Sequence, residues 1–393
     1  MPVKKVFVVA AKRTAIGSFG GKLAGLSAPF LASEAIKACL LQSNLPSDAI
    51  DEVFIGNVLS ANLGQAPARQ AAILAGLSHS TPCTGVNKVC ASGSKAIALG
   101  FNSILAGENE LVLVGGMESM SNVPFYLENH RFGNKLGHHN LVDGLIKDGL
   151  WDVYNNMHMG SAAEKTAKVM NITREEQDEF AVRSYQLSAK ASESGAFKNE
   201  MLSLKIIKGK QEFLVDEDEE FKNVVFEKIP SLRPVFNSAG TITAANASTI
   251  NDGACALILA DEKAVQEFGL KPLAEILATS DAATEPIDFS IAPSLAVKKL
   301  MNKVNFKSND VQLWEINEAF SSVVLANQKL LGLDIENVNV NGGAVSLGHP
   351  IGCSGARILT SLIYALHQKS KEIGVSSICN GGGGATAIAI KAV

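Results

Sequence analysis

Two cysteines and one histidine stand in settings that suit chemistry better than packing. Cys379 ends the apolar run Ser377-Ile378-Cys379 and is followed, after Asn380, by four consecutive glycines, Gly381 to Gly384. Four glycines are costly to order and bring no side chains to a core. Their use is close approach of backbone to a ligand, with amide N–H groups exposed beside a thiol. Cys90 lies in Val86-Asn87-Lys88-Val89-Cys90-Ala91-Ser92-Gly93, which reads as a strand-to-helix junction. A helix dipole and free N–H groups there favour a thiolate and lower the thiol pKa. His349 sits in Gly348-His349-Pro350-Ile351-Gly352, where flanking glycines leave its imidazole room to meet a substrate.

Each signal alone has a plainer reading. A cysteine is often a small buried hydrophobe, and a histidine can cap a turn. Asn317-Glu318, after the strand-like Leu313-Trp314-Glu315-Ile316, can be a helix cap. As a chemical element, the same pair offers an amide to orient a water or a histidine and a carboxylate to set a ring tautomer. Asn251-Asp252-Gly253 reads mainly as a turn before a strand. Together, two thiols, an imidazole and glycine-borne donors point to acyl transfer through a covalent thioester. One thiol attacks, the histidine takes its proton and amides stabilise the oxyanion. The second thiol suits a soft acid/base step at carbon, such as removing a proton beside a thioester carbonyl.

The elements that must carry these residues follow from periodicity. Strands are predicted over 5–10, 52–57, 111–114 and 254–259, and helices over 31–41, 66–74 and 91–105. The last helix is apolar on all sides, as for a helix between layers. From residue 119 to 245 the texture changes. Four of the seven histidines fall there (His130, His138, His139 and His158), with the polar run Val215 to Glu220, read as solvated surface. Thr173-Arg174-Glu175-Glu176 opens one clear helix with a capping pattern. The two ends of the chain repeat: the segment around Cys90 resembles Gly352-Cys353-Ser354-Gly355, and each opens a helix followed by an apolar strand ending in glycines. A duplicated α/β unit of mostly parallel strands would bring both glycine-lined ends to one face.

Length and composition bound the rest. A chain of 393 residues, 47% hydrophobic and 19% charged, calls for two or three folded domains. A net charge of −4 draws nothing toward nucleic acid. Six scattered cysteines with no CxxC pair argue against a zinc knuckle or disulfide scaffold and for a reducing compartment, the cytoplasm or mitochondrial matrix. The N-terminus reads as no secretory signal and no targeting segment is visible; no apolar run is expected to span a membrane.

At these motifs the chain resembles the thiolase family, from about Val6 to Ile390: Val86 to Gly93, Asn317-Glu318-Ala319-Phe320, Gly348-His349-Pro350 and Cys379-Asn380-Gly381-Gly382-Gly383. Thiolases interconvert acyl-CoA plus acetyl-CoA with 3-ketoacyl-CoA plus free CoA. The resemblance implies an α/β thiolase fold of two duplicated halves packed in layers. The expected division is 1–118 for the first half, 119–248 for an inserted CoA-binding loop domain, 249–272 for a return to the first half and 273–393 for the second. It implies that Cys90 carries the acyl group, His349 activates it and later helps hold a substrate oxygen, and Cys379 shuttles the α-proton. Asn317 would hold a water that forms one oxyanion hole with His349, and the N–H groups of Cys90 and Gly381 the other. Leu150, His158, Met159 and Ser248 would face CoA, and Lys222 its nucleotide end. One departure is Ser94, where many relatives carry methionine.

Pro286-Ile287-Asp288-Phe289-Ser290-Ile291-Ala292-Pro293 is similar to the mitochondrial-type, acetoacetyl-CoA branch of the family. That implies condensation of two acetyl-CoA molecules, acceptance of a 2-methyl group, and an acyl pocket bounded by Phe289 and Phe320, although Phe289 alone also reads as core. CoA thioesters are then substrates with no tightly bound cofactor, and the assembly is a homotetramer. The branch further implies a potassium ion held by Tyr185 and the carbonyls of Ala244, Ala245, Ala247 and Val345; without the resemblance these read as core. The competing readings are a degradative thiolase for longer chains, an enzyme condensing carrier-protein thioesters, which would not need Cys379, and a non-catalytic lipid carrier, which would not need the three chemical residues together.

Overall fold

The structure, a computed structural model, describes residues 4–133, 135–208 and 211–393. The first half of the chain forms β1 (Val6–Arg13), α1 (Ala28–Ser43), β2 (Glu52–Gly56), α2 (Pro67–Leu74), β3 (Cys83–Val86), α3 (Ser92–Ala106) and β4 (Leu111–Ser119). An insertion follows, with α4 (Met159–Val169), α5 (Arg174–Glu193) and three short hairpins. The Thr173 capping box opens α5 as the sequence predicts. β5 (Asn251–Asp261) returns to the core and leads into α6 (Glu262–Glu267). The second half forms β6 (Ala274–Ala283), α7 (Ala292–Val304), β7 (Leu313–Ile316), α8 (Ser321–Leu331), α9 (Ile351–Gln368), β8 (Ile373–Asn380) and β9 (Gly384–Ala392).

The strands join in the order β7-β8-β9-β6-β1-β5-β4-β2-β3. Their directions correct the expectation of mostly parallel pairing. Only β2–β3, β2–β4 and β7–β8 are parallel, whereas β1–β5, β5–β4, β1–β6, β6–β9 and β8–β9 are antiparallel. The glycines after Cys379 supply the reason for one of these, β8–β9, because a tight turn joins antiparallel neighbours while a parallel pair needs a long crossover. The halves follow the same order of strands and helices, except that isolated bridges at Val338 and Val340 stand in the second half where the first has β3, and the insertion between β4 and β5 stands where the second half has the Gly381–Gly383 turn. Cys90 and His349 each precede their helix, α3 or α9, by two residues. The repeat therefore aligns Cys90 with His349, not with Cys353, which is buried inside α9.

Apolar stripes on the helices dictate the layers. Ile97 and Phe101 of α3 and Leu359 and Leu362 of α9 are buried with Val112, Val114, Leu257 and Ile388 of the sheet. α1 and α2 cover the other face of the first half through residues such as Leu31, Ile36 and Ala71. α7 and α8 do the same for the second half through Val297, Leu300 and Val324. The central helices meet where side chains are absent: a Cβ on Gly93 would fall 2.7 Å from the Ala356 nitrogen.

Two sequence expectations change here. The segment Val89–Ala106 is long and apolar enough to cross a membrane by length and composition, but it is 61% buried inside the protein, largely as the core helix α3. The acidic run is not all solvated surface: Asp218 is buried, with Oδ1 2.7 Å from Arg13 Nη1, and Arg13 Nε lies 2.6 Å from Glu200. This buried triad ties β1 to the insertion.

Candidate active site

After β3 the chain turns sharply to enter α3. Val89 has φ +47°, a left-handed conformation that a β-branched residue adopts only under constraint. Ser92 braces the turn, its hydroxyl donating to the Val89 carbonyl at 2.5 Å and accepting from Lys88 N–H at 2.9 Å. Cys90, half-buried, then lines a cavity of about 290 Å³ together with His349 and Gly381. Burial raises its thiol pKa to about 11, with Glu118 adding to the rise, while the N–H groups of Gly381 and of Cys90 itself oppose it. The sequence expectation of a thiol lowered by the helix dipole is thus corrected, because desolvation outweighs the dipole.

His349 is buried on the loop before α9, with its N–H donating to Asn251 Oδ1 at 2.9 Å. Its Nδ1 lies 2.6 Å from Ser354 Oγ, which lies 3.0 Å from the Pro350 carbonyl. The serine has one proton and gives it to the carbonyl, so Nδ1–H donates to the serine and Nε2 is left unprotonated. Burial, aided by the Arg357 charge, lowers the His349 pKa to about 3. A neutral imidazole with a bare Nε2 is a base. Asn317 Nδ2 lies 3.4 Å from that Nε2, and Asn317 Oδ1 is buried with no partner among the described residues. A polar atom in that position suits an ordered water.

Glu318 does not set the tautomer. It is buried and accepts from Ser184, Asn339 and the Val345 N–H, which fastens the catalytic loop to α5. Sequence reasoning missed Ser354, which holds the His349 ring, and Asn251, which holds its backbone N–H: Ser354 served there only as part of a repeat, and Asn251 as a turn, whereas it opens β5. Cys379 is buried at the end of β8, packed in one cluster with Met159, Phe289 and Phe320. Its thiol pKa is raised by burial and by the neighbouring Cys90.

The same cavity is lined by Leu150, His158, Met159, Ser248, Phe289 and Phe320. Ser248 Oγ donates to the Ala319 carbonyl at 2.9 Å. Phe236, from the insertion, stacks on His158 with centroids 4.7 Å apart and meets Phe320 edge-on at 6.1 Å. A lone aromatic in a polar stretch carried no signal for this role. Lys222 stands apart: it is exposed, pairs with Glu217 and lines none of these walls.

A second cavity of about 270 Å³ is lined by Tyr185, Ala244 and Ala245, beside Glu220 and Asn223. Ala247 lines the first cavity, and Val345 packs in one cluster with Tyr185. The carbonyls of Ala244, Ala245, Ala247 and Val345 accept no hydrogen bond among the described residues. Open oxygens of this kind suit a hard cation, so the chemistry of the donor set fits one.

Residues 6–263 match the family description "Thiolase, N-terminal domain" and residues 270–392 "Thiolase, C-terminal domain". The chain is 51% identical over 391 residues to the acetyl-CoA acetyltransferase of Schizosaccharomyces pombe, covering 99% of both chains. It is 52% identical to the mitochondrial acetyl-CoA acetyltransferase of Bos taurus, covering 99% of this chain and 92% of that one. Acat5 thiolase from Ascaris suum, solved in complex with coenzyme A, is similar with a TM-score of 0.94 at 47% identity, covering 99% of this chain and 100% of that one. The Bacillus anthracis acetyl-CoA acetyltransferase is similar with a TM-score of 0.97 at 38% identity, covering 100% and 99%.

Proposed function

Because the chain belongs to the thiolase family, we propose that it is an acetyl-CoA C-acetyltransferase, reversibly condensing two acetyl-CoA molecules to acetoacetyl-CoA and CoA. The observation that carries the reading is the convergence of Cys90, His349 and Gly381 on one cavity, against whose aromatic wall Cys379 packs.

With its pKa near 11 the Cys90 thiol is protonated at neutral pH and needs a base. His349 Nε2 takes the proton as sulfur attacks the acetyl carbonyl, and the N–H groups of Cys90 and Gly381 hold the oxyanion. The tetrahedral adduct collapses to acetyl-Cys90, and the departing CoA thiolate takes its proton from Cys379. The site then holds an imidazolium and a Cys379 thiolate. A second acetyl-CoA enters, Cys379 removes its α-proton, and the enolate oxygen is held by His349 Nε2–H and the water on Asn317. The enolate carbon attacks acetyl-Cys90, acetoacetyl-CoA forms, and His349 returns the proton to the Cys90 sulfur.

Leu150, His158, Met159 and Ser248 would hold the pantetheine, with Lys222 toward the nucleotide end, and Phe289 and Phe320 would bound a short acyl group. Tyr185 and the carbonyls of Ala244, Ala245, Ala247 and Val345 would hold a potassium ion, whose charge would stiffen the Ser248 segment and the catalytic loop. The proposed assembly is a homotetramer. The bovine relative is named mitochondrial and the fission-yeast one is not, so the mitochondrial matrix and the cytoplasm are the proposed compartments.

The test is intact-mass analysis after mixing with acetyl-CoA. One acetyl group on Cys90, absent in Cys90→Ala, supports the reading; unchanged acetylation in that variant would sink it.

A further inference from the structure

The two N–H groups assigned above to the oxyanion come from opposite halves of the chain. Cys90 belongs to the turn before α3, and Gly381 to the turn between β8 and β9, so no single element fixes their separation. Each turn is also conformationally demanding, with φ +47° at Val89 and +83° at both Gly382 and Gly383. A β-branched residue held at positive φ relaxes unless its neighbours prevent it.

Asp281, on β6, stands between the two turns. Its Oδ1 lies 2.5 Å from Lys88 Nζ and accepts from Thr386 Oγ1 at 2.7 Å, and its Oδ2 lies 2.7 Å from Lys95 Nζ. Lys88 Nζ also donates to Thr386 Oγ1 at 2.9 Å and to the Ala385 carbonyl at 3.3 Å. Lys88 directly precedes Val89, and Lys95 is in the first turn of α3. Ala385 and Thr386 directly follow the glycine turn. Further along from Asp281, Thr284 N–H donates to the Gly383 carbonyl at 2.9 Å. One carboxylate thus collects polar contacts from both flanks of the site. Partial burial works against its charge, but hydrogen bonds from Lys88, Lys95 and Thr386 hold the carboxyl well below its usual range.

We propose that Asp281 is a positioning residue whose carboxylate, with Lys88, Lys95 and Thr386, clasps the Cys90 turn to the Gly381 turn and so sets the spacing of the oxyanion donors. The proposal rests on the acyl-transfer reading above. It assigns the clasp to transfer onto Cys90, because abstraction of the α-proton draws instead on Cys379, Asn317 and His349.

The test uses Asp281→Asn, which keeps the shape and removes the charge, and Thr386→Val, which keeps the size and removes the hydroxyl. In both, single-turnover acetylation of Cys90 should slow, by about 10–100-fold in Asp281→Asn and less in Thr386→Val, with KM for acetyl-CoA held within about twofold. Exchange of acetyl-CoA methyl protons in D₂O, measured on enzyme already fully acetylated, should stay within about twofold of the parent. Acetylation at the parent rate in both variants would overturn the clasp. So would an equal fall in acetylation and exchange, which is the mark of general loss of structure. Absence of acetyl-Cys90 in the parent itself would overturn the reaction and the clasp with it.

Discussion

Ser354 Oγ bridges His349 Nδ1 and the Pro350 carbonyl, at 2.6 Å and 3.0 Å, so a hydroxyl on the first turn of α9 decides which imidazole nitrogen is free. Burial holds the Cys90 thiol protonated at neutral pH, so in the proposed mechanism the first step passes through that free Nε2.

Ser354→Ala removes the partner and lets the ring rotate or change tautomer. The expected outcome is a fall in kcat of about 10–100-fold with little change in KM. Ser354→Thr, which restores the hydroxyl, should recover most of it. Steady-state kinetics of the two variants decide the matter, and equal kcat in alanine and parent enzymes would remove Ser354 from the mechanism.

Cys379→Ala separates the two thiols. The variant should still acquire one acetyl group on Cys90 by mass, yet exchange acetyl-CoA methyl protons in D₂O at less than about a hundredth of the parent rate. Normal exchange by NMR would show that another group is the base at carbon.

His349 also leaves a mark on stability. The unfolded histidine takes up its proton near pH 6.5, whereas in the native protein the pKa is lowered to about 3. Between those values the unfolded chain binds the extra proton, so stability falls as pH falls. From pH 7 to pH 5 this group removes about 2 kcal/mol. Burial raises Glu118 to about 7, which acts in the opposite direction. The measurement is therefore a difference: urea unfolding at both pH values should show His349→Asn losing about 2 kcal/mol less than the parent. Parallel losses would contradict a buried neutral imidazole.

Phe236, Phe289 and Phe320 line one cavity, with Phe320 edge-on to both other rings, and Phe289 and Phe320 bound the proposed acyl pocket. With free CoA as co-substrate, kcat/KM should be highest for acetoacetyl-CoA, similar or lower for its 2-methyl analogue, and at least about tenfold lower for a C8 3-ketoacyl-CoA. Preference for the C8 substrate would overturn the short-chain assignment.

Potassium is tested by salt exchange. Initial rates in KCl should exceed those in NaCl at equal ionic strength, through tighter CoA binding or a higher kcat. Replacing Tyr185 with Phe should weaken the difference. Identical kinetics in both salts would exclude activation by the ion.

The fold class and the gathering of Cys90 and His349 on one cavity were legible in the sequence, and the direction of the strands was not. Cys90, His349 and Cys379 stood out because glycines and a helix start surrounded them, a setting that packing alone does not require. Strand direction was not legible, since short buried runs look alike whichever way their neighbours point. The Cys90 pKa was misjudged because a local dipole can be read from sequence, whereas desolvation depends on what the rest of the chain folds over the thiol. Ser354, Asn251 and Phe236 were missed for a related reason. Each acquires its role from a partner brought close by tertiary folding, and Phe236 meets the site from an insertion whose path is not written in periodicity.

The place of that insertion has a consequence for how the molecule is made. β5 lies between β1 and β4 in the sheet, and Ser119 pairs with Asp252 across the junction. A ribosome therefore completes β1 and β4 and then the whole insertion before the strand that belongs between them exists. Throughout that interval Leu111, Val112, Leu113 and Val114 form an apolar strand whose future neighbour is missing, open to pairing with a nascent chain nearby. The hazard to this protein is greatest during its synthesis, and slowing translation within the insertion should lower the soluble yield more than slowing it after Asp261.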